Sequence, residues 1–291
     1  MSVWSQVAGW FNDPPPEFVF DIGADEVAVS RTRAPHAPRE VQLEPGVVTP
    51  AQGKDCVMLP AALAAAVHQL IPQPLKRPTA ALLIPDNSVR MAILEFDKFP
   101  DKEEERRALV KFRLRKTIPF DVDQAVISYF QQSGSSVLAA AVPVETVARF
   151  EAPLRAAGLQ PGLVMPSSVA MLELVQEKGL VLVARRGSGV LSVFALRDGV
   201  VLLARVLELA VGATDPLEEI VADLYPTMVY LEDQTGTRPS KLIIAGFRDD
   251  AEEAEVRLSV ELDVPTESIA PRQPGIAGYL TSLGVSEKAA A

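Results

Sequence analysis

Apolar residues form short runs typical of strands, separated by longer stretches with helical spacing. The predicted strands are 18–22, 27–29, 40–43, 82–84, 89–96, 125–131, 136–142, 180–184, 190–196, 200–207, 242–246 and 264–269. The predicted helices are 61–71, 101–117, 144–157, 167–177, 215–234 and 250–261. Each half begins with a strand hairpin at a glycine turn and continues with helices and a further buried strand. This repeated pattern predicts a two-lobed α/β fold.

A more polar block at residues 98–160 interrupts the first half. Its helix at 101–117 carries acids in the first turn and bases in the last, which complements the helix dipole. Leu109 and Phe112 are predicted to mark the inner face of this helix. Two strands and a second helix follow, and Gly158 suits the C-terminal cap of that helix. The block is therefore predicted to be an inserted α-β-β-α unit.

The capping residues of the second half are also visible in the sequence. Ser167 or Ser168 is predicted to cap the helix at 167–177, and Asp215 with Pro216 is predicted to start the long helix. Pro226 inside that long helix predicts a kink or a break. The run from Arg185 to Gly189 is predicted to be the turn of the second hairpin.

Composition and charge exclude several classes of protein. Of the 291 residues, 48% are apolar, which excludes a largely disordered chain. Lys and Arg number 28 against 38 Asp and Glu, and the net charge of −10 disfavours a general nucleic-acid binder. No apolar run reaches the roughly 18 residues of a membrane-spanning helix, and no signal peptide is predicted. One cysteine and two histidines disfavour an internal disulfide and a structural zinc site.

Residues 1–16 stand apart from the predicted fold. Trp4, Val7 and Phe11 lie at helical spacing, and a proline run from Pro14 stops any helix. One interpretation is a frayed terminus or a patch packed on the domain. The other is a short interfacial or partner-binding anchor, although the lack of basic residues weakens its membrane version.

Three turns after apolar strands carry residue types that can hold a nucleotide. The candidates are Asp21, Gly23 and Ala24 in the first turn, Gly187, Ser188 and Gly189 in the second, and Ala245 and Gly246 in the third. Backbone N–H groups at such turns bind phosphate, and the Asp21 carboxylate could hold Mg²⁺ through water. The alternative is that Asp and Gly serve turn geometry alone.

The second and third turns are poorer nucleotide elements than the first. The second turn includes Arg185 and Arg186 but has no carboxylate for magnesium; these arginines could meet phosphate oxygens or simply be solvated. A single glycine, Gly246, stands in the third turn and is followed by Phe247, whose side chain obstructs close approach of a nucleoside.

The inserted block offers two sets of candidate binding residues. The basic stretch 106–116 is either a solvated helix face or a docking face for an acidic partner or anionic headgroups. Phe112, Phe120 and Tyr129 are either core residues of the insertion or part of a peptide groove. An extended segment could also add to an exposed sheet edge there. No set of Ser, His and Asp indicates hydrolysis.

Several stretches of the insertion resemble the type IV pilus assembly protein PilM family, within the actin-like ATPase superfamily. They are Glu-Glu-Glu-Arg-Arg-Ala-Leu at 103–109, Ile-Pro-Phe-Asp-Val-Asp at 118–123, the strand at 125–129, and Leu-Arg-Ala-Ala-Gly-Leu-Gln-Pro at 154–161. The resemblance covers roughly residues 17–283.

The resemblance implies an actin-like, ribonuclease H-like fold with an inserted subdomain 1C. The implied divisions are 1–16 as a flexible or docking segment, 17–97 as subdomain 1A, 98–160 as 1C, 161–178 as the return to 1A, 179–275 as 2A with a vestigial 2B, and 276–291 as a C-terminal helix and tail. Subdomain 2B would fall between residues 209 and 215, where only a few residues remain. A truncated or missing 2B is therefore expected.

The resemblance also implies a function. PilM-like proteins are cytoplasmic, lie at the inner membrane through their partners, and bind the short cytoplasmic N-terminal segment of the bitopic protein PilN. They couple the membrane platform to the pilus motor. In this chain the implied partner-binding residues are Phe112, Arg113, Phe120 and Tyr129, in a groove between 1C and 1A. No nucleic-acid partner is expected.

The departures from the family pattern all fall on nucleotide binding. Ala184-Arg185-Arg186-Gly187 stands where the family has Asp-Ile-Gly, the third turn lacks a glycine run, and 2B is reduced. The resemblance therefore implies a non-catalytic adaptor with no cofactor or only weak ATP and Mg²⁺ binding. The alternatives are an active actin-like ATPase or kinase, an actin-like filament protein, and an adaptor of a type II secretion platform.

Overall fold

The structure is a computed structural model and describes residues 14–33, 36–51, 56–71, 77–187, 189–210 and 215–285. It divides into two units, one formed by Met1–Glu173 with Gly275–Ala291 and the other by Leu174–Pro274. Most of the predicted N-terminal segment, Ser188 of the second turn and the end of the predicted tail lie outside the described residues. Within the described part, no helix combines the length and the apolar character needed to cross a bilayer.

The first unit is built on a five-stranded sheet that begins with the predicted hairpin. Its strands are β1 (Phe18–Ile22), β2 (Glu26–Arg31), β3 (Arg39–Gln42), β4 (Thr79–Ile84) and β8 (Gln160–Pro166), in the order β3-β2-β1-β4-β8. The hairpin register pairs Phe20 with Val29, and the Gly23 N–H donates to the Glu26 carbonyl across 2.8 Å to close the turn. Strand β1 then runs parallel to β4, and β4 parallel to β8. The first hairpin is therefore confirmed.

Among the described residues, four α-helices of this unit lie outside the insertion sheet and the helix over it; one of them, predicted as the second helix of the inserted unit, packs mainly against the first helix and β8. They are α1 (Pro60–Leu70), α3 (Val144–Ala156), α4 (Ser167–Met171) and α7 (Pro274–Ser282). Helix α1 starts at Pro60, whose fixed φ and missing N–H suit a first turn. It buries Leu63, Val67 and Leu70 and packs against α3. Both helices were predicted within a residue or two of their observed ends.

The helix predicted at 167–177 is shorter than expected, and its predicted cap is wrong. The α-helix ends at Met171 and a 3₁₀ turn follows. Pro166 is the N-cap residue, and no side chain caps the helix. The hydroxyls of Ser167 and Ser168 are buried, and the Ser168 N–H donates to the Asp86 carboxylate of another segment across 3.0 Å. The Asp86 carboxylate, distant in sequence, thus accepts the hydrogen bond of an N–H group in the first turn of the helix, in place of the predicted serine cap.

The insertion has its own three-stranded sheet and one helix over it. Its elements are β5 (Arg90–Glu95), α2 (Glu103–Leu114), β6 (Ala125–Gln131) and β7 (Ser136–Pro143), with strand order β5-β7-β6. The sheet therefore includes β5, which lies before the boundary drawn at residue 98. The fully buried core of the insertion contains Leu94, Phe99, Val110, Leu114, Val122, Val137, Ala139 and Ala141.

The predicted inner face of α2 is only partly correct. Val110 and Leu114, four residues apart, are buried, and Leu109 packs against the same cluster. Phe112 is 56% exposed. At about 100° per residue, a position two residues from both buried positions lies on the opposite side of the helix.

The second unit has another five-stranded sheet, covered by two helices. Its elements are β9 (Leu180–Gly187), β10 (Val190–Arg197), β11 (Val200–Glu208), α5 (Pro216–Thr235), β12 (Leu242–Ala245), α6 (Ala251–Leu262) and β13 (Thr266–Ser268). The strand order is β11-β10-β9-β12-β13. One core cluster joins side chains of α5, α6 and the sheet, so both helices cover the same sheet face. The Asp198-Gly199 turn between β10 and β11 has positive φ at both residues, as predicted.

Two expectations for the second hairpin and the long helix change. Arg185 and Arg186 lie within β9, because the strand pairs with β10 as far as Gly187 and leaves a shorter turn. Helix α5 continues through Pro226, which excludes the predicted break and leaves a kink as the expectation.

The start of α5 is as predicted. The Asp215 carboxylate accepts hydrogen bonds from the N–H groups of Leu217 and Glu218, both at 3.1 Å. Strand β11 ends at Glu208 and α5 begins at Pro216. So short a connection leaves no room for a subdomain 2B.

Candidate functional site

Asp21, the predicted magnesium residue, is enclosed by its own unit. It is the penultimate residue of β1, a strand buried along its whole length, and is 6% exposed. The hydroxyl of Ser167, itself 1% exposed, donates a hydrogen bond of 2.6 Å to Asp21 Oδ2. A hydrogen bond to a charged acceptor is about twice as strong as a neutral one. The carboxylate therefore connects strand β1 to the start of helix α4.

The start of helix α7 covers the same carboxylate. A Cβ atom on Gly275 would lie 2.6 Å from Asp21 Oδ2 and in still closer contact with Ser167 Oγ. One turn later, a Cβ on Gly278 would lie 2.7 Å from the Met171 Cα and would overlap the Ala170 carbonyl oxygen. Only glycine permits this approach. The Asp21–Ser167 pair is thus packed beneath a helix that belongs to the same unit.

A second buried carboxylate, which sequence reasoning missed, lies in the same unit. Asp86 is 1% exposed, and its Oδ1 accepts the Ser168 N–H at the start of α4. The adjacent Asn87 donates from Nδ2 to the Pro50 carbonyl across 2.9 Å. The sequence treats Asp86-Asn87 as an ordinary turn, and no local signal shows that both side chains are buried.

The other residues of the first turn have structural roles in the hairpin. The Gly23 N–H, one of the groups predicted to bind phosphate, donates to the Glu26 carbonyl. Ala24 is half-buried at the same turn. The first turn therefore uses the Gly23 amide within the chain.

Arg186, before the second turn, packs onto the third turn of the same unit. Its Nη1 lies 2.7 Å from Asp250 Oδ2, and its guanidinium lies 5.9 Å from the centre of the Phe247 ring. Gly187 is the last residue of β9, and Gly189 has a φ of +70° in the hairpin turn.

The backbone of the neighbouring strand β9 packs against the third turn. Ala245 ends β12 fully buried, and Gly246 has a φ of +76°. A Cβ on Gly246 would overlap the carbonyl oxygen of Arg186 and lie 3.3 Å from its carbonyl carbon. Phe247 is 2% exposed. The bare backbone predicted to receive a nucleoside therefore faces the protein's own β9. Among the described residues, no three His, Cys, Asp or Glu side chains gather as metal ligands.

The four predicted partner-binding residues lie in two places on the insertion. Phe112 is exposed on the side of α2 away from the sheet, and Arg113 is exposed on its flank, 5.3 Å from the centre of the Phe96 ring. Phe120 and Tyr129 are half-buried and pack between α2 and the sheet. Phe96 packs against the insertion core, and its ring lies 5.2 Å from that of Phe99, which Tyr129 also contacts. Of the first pair, only Phe112 is therefore separated from Phe120 and Tyr129 by the helix.

Tyr129 combines an apolar ring contact with a buried hydroxyl group. Its ring meets Phe99 edge-on, with the ring centres 5.9 Å apart. Burial, together with a smaller effect of the Glu103 carboxylate, raises the pKa of Tyr129 to about 12. The phenol therefore stays protonated at neutral pH and can donate a hydrogen bond.

Strand β6 forms an edge of the insertion sheet. Among the described strands it pairs with β7 alone, so its other side presents unpaired main-chain groups. Its side chains alternate, with Ile127 and Tyr129 toward the helix and Val126, 42% exposed, toward the other face. Such an edge is a ready template for an added strand.

Comparison with solved structures identifies the fold. The chain superposes on a chain of a PilM–PilN type IV pilus biogenesis complex with a TM-score of 0.75 and 21% identity, covering 94% of this chain and 98% of that one. It also superposes on a Bacteroides thetaiotaomicron protein with the actin-like ATPase fold, with a TM-score of 0.58, 13% identity, and coverage of 91% and 95%. The chain has the actin-like ATPase fold. The predicted fold class, with its insertion, is confirmed.

A third similar structure comes from a secretion system. It is the cytoplasmic domain of EpsL, an inner-membrane component of the type II secretion system of Vibrio cholerae. The TM-score is 0.53 with 12% identity, and the match covers 78% of this chain and 80% of that one. No model of a protein family matches the sequence, and no curated protein matches it.

Proposed function

We propose that this chain is a cytoplasmic adaptor of a type IV pilus assembly platform, which binds the cytoplasmic N-terminal segment of a PilN-like inner-membrane protein. The observation that supports this best is the superposition on the PilM–PilN complex over 94% of the chain, insertion included. In this proposal the chain lies at the membrane through its partner and connects it to the motor. The superposition on EpsL favours a second candidate, an adaptor in a type II secretion platform.

The proposed contact is strand addition at β6. The open edge supplies main-chain hydrogen bonds, which give affinity in this mode of peptide recognition. Side chains near an added strand give specificity, and in this proposal Phe120 and Tyr129, half-buried against the insertion core, supply the aromatic contacts. Phe112 lies on the far side of α2, so the proposed contact does not include it. Arg113, stacked on Phe96 at the flank of α2, stays a proposed contact.

Charges beside the same edge favour a stable framework for the contact. Asp123, two residues before β6, binds Lys111 at 2.7 Å and Arg115 at 3.2 Å on α2. The hydrogen bond and charge of Lys111, assisted by Arg115, hold the pKa of Asp123 below its usual range. These exposed ion pairs link the end of α2 to the residues just before β6, and each contributes little stability.

We further propose that nucleotide binding is lost or weak. Asp21 is held by Ser167 beneath Gly275, and Gly246 is closed off by the backbone of Arg186. Either group would have to leave contacts made within its own unit before it could meet a nucleotide. Binding would therefore be opposed by the free energy of those contacts. Titration of the purified chain with Mg-ATP should show no micromolar binding, and micromolar affinity would overturn this part of the proposal.

The partner contact is tested with a synthetic peptide. Its sequence is the cytoplasmic N-terminal segment of the PilN-like protein whose gene lies nearest to the gene of this chain. Fluorescence anisotropy should show saturable binding to the whole chain. A peptide with alternate backbone amides N-methylated should bind about tenfold or more weakly, because it cannot pair along β6. The Tyr129→Ala variant should also bind more weakly, whereas the matched Phe112→Ala variant should bind normally.

Each outcome has a separate meaning. No binding of the unmodified peptide by a folded sample rejects the partner. Equal binding of the methylated peptide rejects strand addition but keeps the partner. A loss in Phe112→Ala as large as that in Tyr129→Ala would move the contact to the outer side of α2.

A further inference from the structure

Helices α5 and α6 expose an unusual amount of apolar surface to solvent. Val256 and Val260, one turn apart on α6, are 68% and 75% exposed, the highest values among the large apolar side chains described. Tyr225 and Val229, one turn apart on α5, are 56% and 42% exposed. Residues four apart lie on the same side of a helix, so each pair forms a short apolar stripe.

The two stripes belong to one surface. Both helices cover the same face of the second unit's sheet and pack side by side. Arg257 of α6 ties them together, because its Nη1 lies 2.6 Å from Asp215 Oδ2 at the start of α5. We call the solvent-facing side of these helices the α5–α6 face.

The charges of the α5–α6 face have one sign. Helix α5 has no Lys or Arg, and α6 has only Arg257, which is paired with Asp215 and Glu261. Exposed carboxylates with no ion pair in the described part of the chain are Glu218, Glu232, Asp233, Glu252 and Glu253. Because like charges repel across an interface, this face is a poor partner for a second copy of itself. A complementary surface must be cationic and carry an exposed apolar side chain.

The chain has such a surface at the end of helix α2. Phe112 is 56% exposed, and Lys116 Nζ lies 5.5 Å from the centre of its ring. Arg113 is exposed beside it, and neither Arg113 nor Lys116 has an ion pair among the described residues. We call this group of three side chains the α2 pole.

We propose that the α2 pole of one copy binds the α5–α6 face of a second copy. Phe112 would sit against the exposed valines and tyrosine while Arg113 and Lys116 meet the carboxylates. The contact joins two different surfaces, so a single contact leaves one pole and one face open. Contacts of this kind extend into chains or close into rings unless a reciprocal second contact closes a two-fold dimer. Each copy carries a net charge of −10, so we expect weak, concentration-dependent association.

Sedimentation velocity of the whole chain over a concentration series tests this. The wild type should move from monomer to dimer and larger species. Phe112→Asp blocks the pole and Val260→Asp blocks the face, and each should associate about tenfold or more weakly. Both positions are exposed, so equal thermal unfolding will show intact folding. Met58→Asp, at a residue 54% exposed outside both surfaces, is the matched control and should associate like the wild type.

Mixing the two blocked variants distinguishes pole-to-face pairing from a dimer that pairs two poles or two faces. The Phe112→Asp copy keeps an intact face and the Val260→Asp copy keeps an intact pole, so an equimolar mixture should form a dimer and nothing larger. A wild type that stays monomeric throughout overturns the proposal. So does a mixture that stays monomeric, or association that neither variant weakens. No partner peptide is present, so these outcomes are independent of the proposed PilN-like contact.

Discussion

Replacing Asp21 should damage the fold rather than a nucleotide site. In Asp21→Ala the Ser167 hydroxyl loses its acceptor while only 1% exposed. A hydrogen bond to a charged group contributes about 1.5–3 kcal/mol. We therefore expect Asp21→Ala to lower the free energy of unfolding by about 2–3 kcal/mol.

A double-mutant cycle measures whether this loss comes from the pair. Asp21→Ala, Ser167→Ala and the double variant are compared with the wild type by urea denaturation, with and without Mg-ATP. We expect the double variant to lose about 1–2 kcal/mol less than the sum of the single losses. Mg-ATP should leave all four midpoints unchanged, since a ligand stabilises only a state that binds it.

Two results would refute the reasoning. Single losses that add within about 0.5 kcal/mol would show that Asp21 and Ser167 are not coupled. A wild-type midpoint raised by Mg-ATP, together with no rise in Asp21→Ala, would show that the carboxylate serves a bound nucleotide.

Three further predictions concern single side chains. Gly278→Ala should lower the unfolding free energy by roughly 1–3 kcal/mol because its Cβ meets backbone of α4, whereas Gly162→Ala, with open space around it, should be nearly neutral in urea denaturation. Gly246→Ala should be at least as destabilising, because φ is positive and the Cβ meets backbone of β9; a neutral result would contradict this close packing. Burial and the neighbouring Glu219 carboxylate raise the pKa of Asp223, so ionised Asp223 opposes folding. We therefore expect Asp223→Asn to have a higher free energy of unfolding than the wild type at neutral pH. The difference should vanish below the usual Asp pKa, where Asp223 is protonated in both the folded and the unfolded chain.

The elements of this fold were predictable because their signals are local. The apolar runs around Asp21 and the Asp198-Gly199 pair specify hairpins through residues that are neighbours in sequence. The position of Phe112 was not predictable from apolar character alone, because the helix buries Val110 and Leu114 and one more aromatic does not change that face. Sequence periodicity shows which face is apolar, but not which apolar residue a neighbouring sheet leaves uncovered.

The candidate site depended on contacts that no local pattern contains. Ser167, which binds Asp21, lies 146 residues away along the chain. The run from Arg185 to Gly189 is predicted as a turn, yet pairing with β10 keeps Arg186 in a strand, where it packs on Phe247. In each case the sequence indicated the residue that matters and the partner came from tertiary packing.

Helix α7 gives the first unit a discontinuous build, since Gly275–Ala291 joins Met1–Glu173 only after the whole second unit has been synthesised. During synthesis, strand β1 with Asp21 therefore leaves the ribosome long before helix α7, whose Gly275 packs over Asp21. In a nascent chain the Asp21–Ser167 pair therefore stays uncovered while the second unit, which is continuous in sequence, can fold. Truncation just before Pro274 should accordingly yield a well-formed second unit attached to a loosened first one, a form that cellular quality control would recognise.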